Sequence, residues 1–369
     1  MREIESLTAL HAALHSERPL TGLRLQDLDL GGHERELLAR DDVRGMVVLG
    51  GRMSDELATH LRAHGAFVFP TDPGAPVTPY RSSLYLPHEL YAGLREHGYE
   101  ATPDARAYHW ARDGALAHDA FVTLLRAIHD DSISDALTEV LGARPVVGVM
   151  GGHALHRDTE AYAGAARLGH ALASAGLTVA TGGGPGAMEA ANLGAFATSP
   201  DALDGALRRL RGIPSFRPAI EPWAAVALDV HDDLVRAPLA PTEVRSIGIP
   251  TWFYGHEPPN VFCTGIAKYF SNAIREDGLL ARCTAGLVVL EGAAGTVQEV
   301  FQAATRLYYA AEGDALPVVV LVGRRHWTVT VPVWQALQAL AAGRAMESRI
   351  HLVDSAADAA DLVMAASGR

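Results

Sequence analysis

Two glycine-rich turns hold the residue types best suited to chemistry. One is ATGGGPGAME, Ala180 to Glu189, and the other is VVLEGAAGTVQE, Val288 to Glu299. Each reads as an apolar run, a glycine turn and the first turn of a helix, the arrangement by which an α/β protein points backbone N–H groups at a phosphate. At Gly182, Gly183, Gly184 and Gly186, and again at Gly292 and Gly295, the missing Cβ lets an anion approach the main chain. Pro185 suits the first helical position, where no N–H is needed. Thr296 and Glu299 have the spacing of a capping box, which would account for Glu299 without any catalytic role; the alternative is a functional carboxylate. Gly151 and Gly152, at the end of PVVGVMGG, offer a third place for amides to meet a nucleotide, or else a plain strand-to-helix turn.

The whole chain limits what these turns can serve. Its 369 residues allow two or three domains, and its net charge of −12 argues against a nucleic-acid backbone as partner, so a DNA-processing role is disfavoured. A local nest of amides can still bind a small phosphate on an acidic protein. Cys263 and Cys283 supply neither a disulfide framework nor a four-cysteine zinc site. The N-terminus lacks the apolar core of a signal peptide, and no run approaches the roughly 18 apolar residues of a membrane span, so a cytoplasmic protein with no membrane association is expected. Lys268 is the only lysine in the chain. It is followed by Tyr269, which excludes the usual phosphate-binding GxxxxGK[ST] loop, and its helical-looking surroundings carry no signature of a Schiff-base lysine. The dinucleotide fingerprint GxGxxG also fails, because Ala187 stands where the third glycine would be, and a mononucleotide fits better.

The elements needed to present these turns follow from the apolar pattern. Residues 1–142 read as a smaller N-terminal α/β domain of unassigned role. It contains a helical arm over residues 1–16 and a strand–turn–helix–strand unit in VRGMVVLGGRMSDELATHLRAHGAFVFP, with Ser54 as N-cap and Gly50 and Gly51 making a tight turn, the alternative being a second nucleotide site. Helices are expected near Pro87, over Ala115–Ile128 and over Ser132–Leu141. Residues 143–369 read as alternating strands and helices: PVVGVMGG, Thr159–Ala175, LTVATGGG, Pro185–Phe196, a helix over Gly265–Glu276, LVVLEG, VFQAATRLYYAAEG, PVVVLVG, and helices over Val333–Ala342 and Ala356–Ala366. Asp201–Arg245 is not assigned beyond a basic helical piece. The pattern predicts an α/β fold, a Rossmann-like doubly wound parallel sheet with helices on both faces and ligands at the carboxyl ends of its strands.

Taken together, GGGPGAMEAAN and EGAAGTVQE resemble the motifs of the LOG family, many of whose members are labelled lysine decarboxylases and whose characterised enzymes are nucleoside 5′-monophosphate phosphoribohydrolases, some of them cytokinin-activating. The resemblance covers roughly Pro145 to Ala366, and the single lysine gives the decarboxylase label no support. The first family motif looks like Gly182 to Met188, including Gly183, Gly184, Gly186 and Met188. The second, PGGxGTxxE, is matched at Gly292, Gly295, Thr296 and Glu299, with Glu291 replacing its proline and Ala293 its second glycine. The family's arginine on the preceding helix corresponds to Arg275. YGHEPPN, Tyr254 to Asn260, is similar to a marker of a long bacterial branch with an N-terminal extension. Tyr254, His256, Glu257 and Asn260 there offer hydrogen bonds to a base or sugar, or simply order a proline-stiffened loop.

The resemblance implies hydrolysis of the N-glycosidic bond of a nucleoside 5′-monophosphate to free base and ribose 5-phosphate, by Arg275 and Glu299 as catalytic pair, with no metal and no cofactor. It implies phosphate held by the amides of Gly183 to Gly186 and Gly292 to Thr296, and a homodimer or larger homo-oligomer. The competing reading is a nucleotide-binding carrier or sensor on the same fold, without turnover, since fold alone does not fix function.

Overall fold

Runs of valine and leucine uninterrupted by polar residues form strands that are buried on both faces, as a parallel sheet covered by helices requires. In the computed structural model, which describes residues 2–69, 71–72, 74–236, 243–254, 257–311, 313 and 315–369, the chain divides into two compact units. Residues 1–84 and 113–137 make the first, and residues 85–112 and 138–369 the second.

The first unit runs β1 (Arg2–Ile4), α1 (Leu7–Leu14), β2 (Leu23–Gln26), α2 (Glu34–Leu38), β3 (Val47–Leu49), α3 (Asp55–Ala63) and β4 (Phe67–Phe69). Its strands pair in sequence order, all parallel. Leu10, Leu25, Val48, Leu57 and Leu61 fill the core beneath them. Ser54 does cap α3, its Oγ accepting from the Leu57 amide. The expected arm over residues 1–16 is instead strand then helix: β1 pairs with β2 before Ser6 caps α1.

The second unit begins with three helices, α4 (Pro87–Leu90), α5 (Leu94–His97) and α6 (Pro103–Arg112). The sequence pattern put this stretch with the N-terminal domain, but its buried polar groups find their partners in the second unit. Tyr91 donates to Pro259 O at 2.6 Å, and Asp104 receives the Lys268 ammonium at 2.6 Å. A single helix, α7 (Ala120–Leu141), replaces the two expected there.

The rest follows as β5 (Val146–Met150), α8 (Glu160–Ser174), β6 (Thr178–Thr181), α9 (Ala187–Phe196), α10 (Pro200–Leu210), α11 (Ile220–Arg236), β7 (Ser246–Gly248), β8 (Gly265–Ile266), α12 (Asn272–Arg282), β9 (Gly286–Val289), α13 (Ala294–Tyr308), β10 (Val318–Val322), α14 (Trp334–Ala341), β11 (Ile350–Val353) and α15 (Ala356–Ala366). The seven strands lie in the order β11-β10-β9-β5-β6-β7-β8, every neighbouring pair parallel. Helices α8, α9 and α15 cover one face and α12, α13 and α14 the other, giving the Rossmann-like doubly wound architecture. The helix expected over Gly265–Glu276 is two elements: Gly265 and Ile266 extend the sheet edge, and Ser271 then caps α12 through the Ile274 amide. No helix among the described residues is long and apolar enough to cross a membrane.

Helices α8 and α9 cross so closely that their contact depends on glycine. A Cβ at Gly194 would lie 1.7 Å from Ala166 O, and one at Gly169 would lie 2.0 Å from Ala191 O. Gly194→Ala gains about 1 kcal/mol in helix propensity. It must also push two backbones apart, at a cost of about 1–3 kcal/mol or more. The variant is expected to unfold at lower denaturant concentration with an unchanged slope; a midpoint equal to the wild type's would show that the crossing tolerates separation.

Candidate functional site

The order of the larger sheet reverses between β5 and β9. From β5 the chain steps outward through β6, β7 and β8, and from β9 it steps the other way through β10 and β11. Crossover connections leave such a reversal on opposite faces, opening a crevice beyond the strand ends. A cavity of about 750 Å³ lies there, lined by Gly151 and Gly152 after β5, Leu290 to Gly292 after β9, Val322 and Gly323 after β10, and Asp354 after β11.

Two helices deliver the charged groups. Arg275 of α12 is 7% exposed, and its Nε donates to Ile249 O at 2.8 Å. Its Nη1 stands 3.8 Å from Glu299 Oε1 of α13 and 3.7 Å from Glu276 Oε1. The first glycine motif makes this possible: a Cβ at Gly182 would sit 2.3 Å from Arg275 Nη2 and 2.7 Å from Met188 Sδ. Glu299 has a side chain only 12% exposed. Burial raises its pKa above 4.5, Arg275 opposes that, and Glu276 adds to it. Glu276 is held by Gln298 Nε2 at 2.6 Å and Tyr254 OH at 3.4 Å, and Asn272 Nδ2 donates to that hydroxyl at 2.9 Å.

Helix α13 starts without a cap. Its N-cap is Ala293, which has no side chain able to accept, and its first helical bond is Val297 N–H to Ala293 O. The amides of Ala294, Gly295 and Thr296 therefore have no intrahelical acceptor. The capping box expected from Thr296 and Glu299 is not formed, because Thr296 already lies inside the helix, and Glu299, one turn further on, lines the cavity. The helix after the first motif likewise starts later than expected, at Ala187 with Gly186 as N-cap, leaving Pro185 outside it.

The structure brings most of the sequence-derived residues together. Gly151, Gly152, Met188, Tyr254, Glu257, Arg275, Gly292, Gly295, Thr296 and Glu299 all line the cavity. Gly183, Gly184, Gly186 and Asn260 do not. The Gly183 amide is taken by Thr181 Oγ1 at 2.9 Å, and the Gly152 amide by Glu291 O at 3.0 Å. Asn260 is fully buried, with Nδ2 donating to Gly184 O at 3.2 Å and to Asn192 Oδ1 at 3.0 Å, so it braces the glycine turn. His256 lies outside the described residues. Lys268 does not line the cavity; it is buried against Asp104 with its Nζ 5.2 Å from the Trp252 ring centre.

Sequence reasoning missed Glu276, His153, His326 and Asp354. Glu276 adjoins Arg275 and was legible as part of the same acidic-basic cluster. His153 pairs with Glu257 at 3.1 Å, and His326 donates from Nε2 to Gly292 O at 3.0 Å while its Nδ1 stands 4.0 Å from Glu291 Oε2. No local pattern marks these, since each comes from a separate strand end.

The raised pKa of Glu299 has a definite consequence for stability. Its folded value exceeds the unfolded 4.5, so the native state holds the proton more tightly than the unfolded chain. The favourable contribution is complete below pH 4.5 and is lost as pH rises through the folded pKa. Glu299→Gln removes the charge but keeps the shape, and is expected to be more stable than wild type at neutral pH, the margin vanishing in acid. Denaturation curves at neutral and acid pH test this, and a variant no more stable at neutral pH would show that the ionised carboxylate is not destabilising there.

Residues 144–200 match the model of the SLOG cluster4 family (LDcluster4), a segment that spans β5, α8, β6 and α9 and ends before Arg275 and Glu299. A search of curated proteins gave no match. Among solved structures, the molybdenum cofactor carrier protein of Chlamydomonas reinhardtii aligns at 19% identity and a TM-score of 0.36, covering 61% of this chain and 99% of that one. An X-ray structure of TM1055 aligns at 17% identity and a TM-score of 0.36, covering 59% of this chain and 97% of that one. The segment from β5 through α9 is thus similar to the SLOG cluster4 model, within a Rossmann-like doubly wound fold.

Proposed function

We propose that the cavity binds a nucleoside 5′-monophosphate and hydrolyses its N-glycosidic bond. The observation that carries this reading is the meeting of Arg275 and Glu299, 3.8 Å apart, in a cavity that also receives the uncapped start of α13. A volume of about 750 Å³ suits a mononucleotide. The free amides of Ala294 to Thr296 take the phosphate. Glu299 faces the ribose, where it stabilises positive charge developing at C1′ as the C1′–N bond breaks. Water adds at C1′ and the departing base takes up a proton, giving ribose 5-phosphate and free base. Arg275, fixed by Ile249 O, holds the carboxylate in place.

A second reading, binding without turnover, draws on Glu291. Its carboxylate lines the cavity beside Asp354, Glu257, Glu276 and Glu299, against the single guanidinium of Arg275. That balance weakens affinity for a phosphate dianion.

Release of ribose 5-phosphate from AMP, GMP, IMP, CMP, UMP and a cytokinin monophosphate separates the two. Wild type is expected to release it from at least one, and Glu299→Gln to lose about 10²-fold or more in rate. Saturable binding without release from any of them would leave the carrier or sensor. Glu291→Gln is expected to tighten phosphate-ligand binding several-fold, seen as a lower KM with kcat unchanged; an unchanged KM would mean that Glu291 points away from the bound phosphate.

A further inference from the structure

We propose that His11, His15, His33 and Glu36 of the first unit form a binding site for a divalent transition-metal ion of the Zn²⁺ class. His11 and His15 sit one turn apart on one face of α1 and at its end, with ring centres 4.1 Å apart. His33 closes the short helical turn before α2, its ring centre 5.7 Å from that of His11, and Glu36 follows one turn later on α2. Candidate ligand atoms of His11, His33 and Glu36 all lie within 4.8 Å of one another. His15 Nε2 is 3.7 Å from Glu36 Oε1, and His33 Nδ1 is 2.9 Å from Glu36 Oε2.

The hydrogen bonding is that of a ligand set. His15 Nδ1 lies 2.9 Å from His11 O, and a carbonyl only accepts, so Nδ1 carries the proton. In the neutral ring Nε2 then presents a lone pair towards a carboxylate oxygen. Two acceptors facing each other are reconciled by a proton or by a cation between them. Metal-binding histidines commonly anchor their second nitrogen to a carbonyl in this way.

Imidazole nitrogens with one carboxylate favour Zn²⁺ and its neighbours over Mg²⁺ or Ca²⁺, which prefer oxygen. Tetrahedral Zn²⁺ spaces its nitrogen ligands roughly 3.3 Å apart, so the side chains must draw in slightly. His15 and Glu36, at 55% and 42% exposed, are free to do so. Of the other clusters, Asp41–His60–His64 relies on a carboxylate that is 81% exposed, and His88–His231–Asp232 uses a histidine stacked on Phe196. A bound ion would clip α1 to α2 within the first unit.

The test is titration of the chelator-treated full-length protein with ZnCl₂, followed by calorimetry and thermal unfolding. Saturable one-to-one binding with a raised Tm is expected, with no such shift from MgCl₂. His33→Ala and Glu36→Gln, each checked for native circular dichroism, should weaken Zn²⁺ binding by about tenfold or more, while His60→Ala leaves it unchanged. Absence of saturable binding to the wild type would overturn the proposal. So would equal stabilisation by Mg²⁺, or affinity that survives both substitutions and falls only with His60→Ala.

Discussion

Because every strand of the larger sheet runs parallel to its neighbours, the chain must cross back over one face between each consecutive pair, and in this sheet the direction of winding reverses once. That reversal, between β5 and β9, puts the carboxyl ends of both strands beside one crevice. The two glycine turns then arrive from opposite halves of the sheet for a geometric reason. One follows β6 and one follows β9, so Met188 and Thr296 line the same cavity although over a hundred positions apart in the sequence.

Much of the first motif is occupied in holding that geometry. Thr181 Oγ1 and Asn260 Nδ2 both donate to Asn192 Oδ1, and Asn192 Nδ2 donates to Ser246 Oγ and Ile247 O, tying α9 to the ends of β6 and β7. Glu189 accepts from Arg157 Nε at 2.9 Å and Tyr162 OH at 2.9 Å, while the Arg157 guanidinium lies 4.4 Å from the Trp223 ring centre. Removing one partner of such a buried pair costs about 3–5 kcal/mol, because the other charge is left without compensation. The polar residues of GGGPGAMEAAN are therefore structural, and its glycines supply room: at Gly182 that room is filled by Arg275.

The strands and helices of the doubly wound sheet were legible in the sequence wherever an apolar run ended in glycine, as at Val146–Met150, Thr178–Thr181 and Val318–Val322. The polar-rich elements were not. Pro200–Leu210 and Ile220–Arg236 form α10 and α11, whose buried faces include Leu203, Leu207, Trp223 and Ala227 at helical spacing, but the charged residues between them obscured the period. Ile350–Val353 is an edge strand that is half-buried over most of its length, and so lacks the uniform apolar run of its neighbours. At the site, Arg275 and Glu299, singled out through the family resemblance, both line the cavity. Of the two readings open for Asn260, the one that orders the loop holds, since its side chain is buried against Gly184 O and Asn192, and a side-chain amide in a loop gives no sign of which way it turns. His153, His326 and Asp354 were invisible, since only the fold brings strand ends together.

The charges in the cavity do not act equally. Arg275 stands within 4 Å of both Glu276 and Glu299, so its charge is largely matched before any ligand enters. A phosphate would then rely on the start of α13, worth about 0.3–2 kcal/mol as a helix terminus. Glu291 opposes it, but that side chain is 66% exposed, and solvent and salt screen it far more than they screen Glu299. The exposed carboxylate can thus weaken the phosphate end without abolishing it. The buried one, desolvated and partly balanced by Arg275, is screened far less by solvent and salt. An environment of that kind has little to offer a ground-state anion. Its advantage lies with a group that becomes positive, which under the proposed function is a ribose C1′ losing its base.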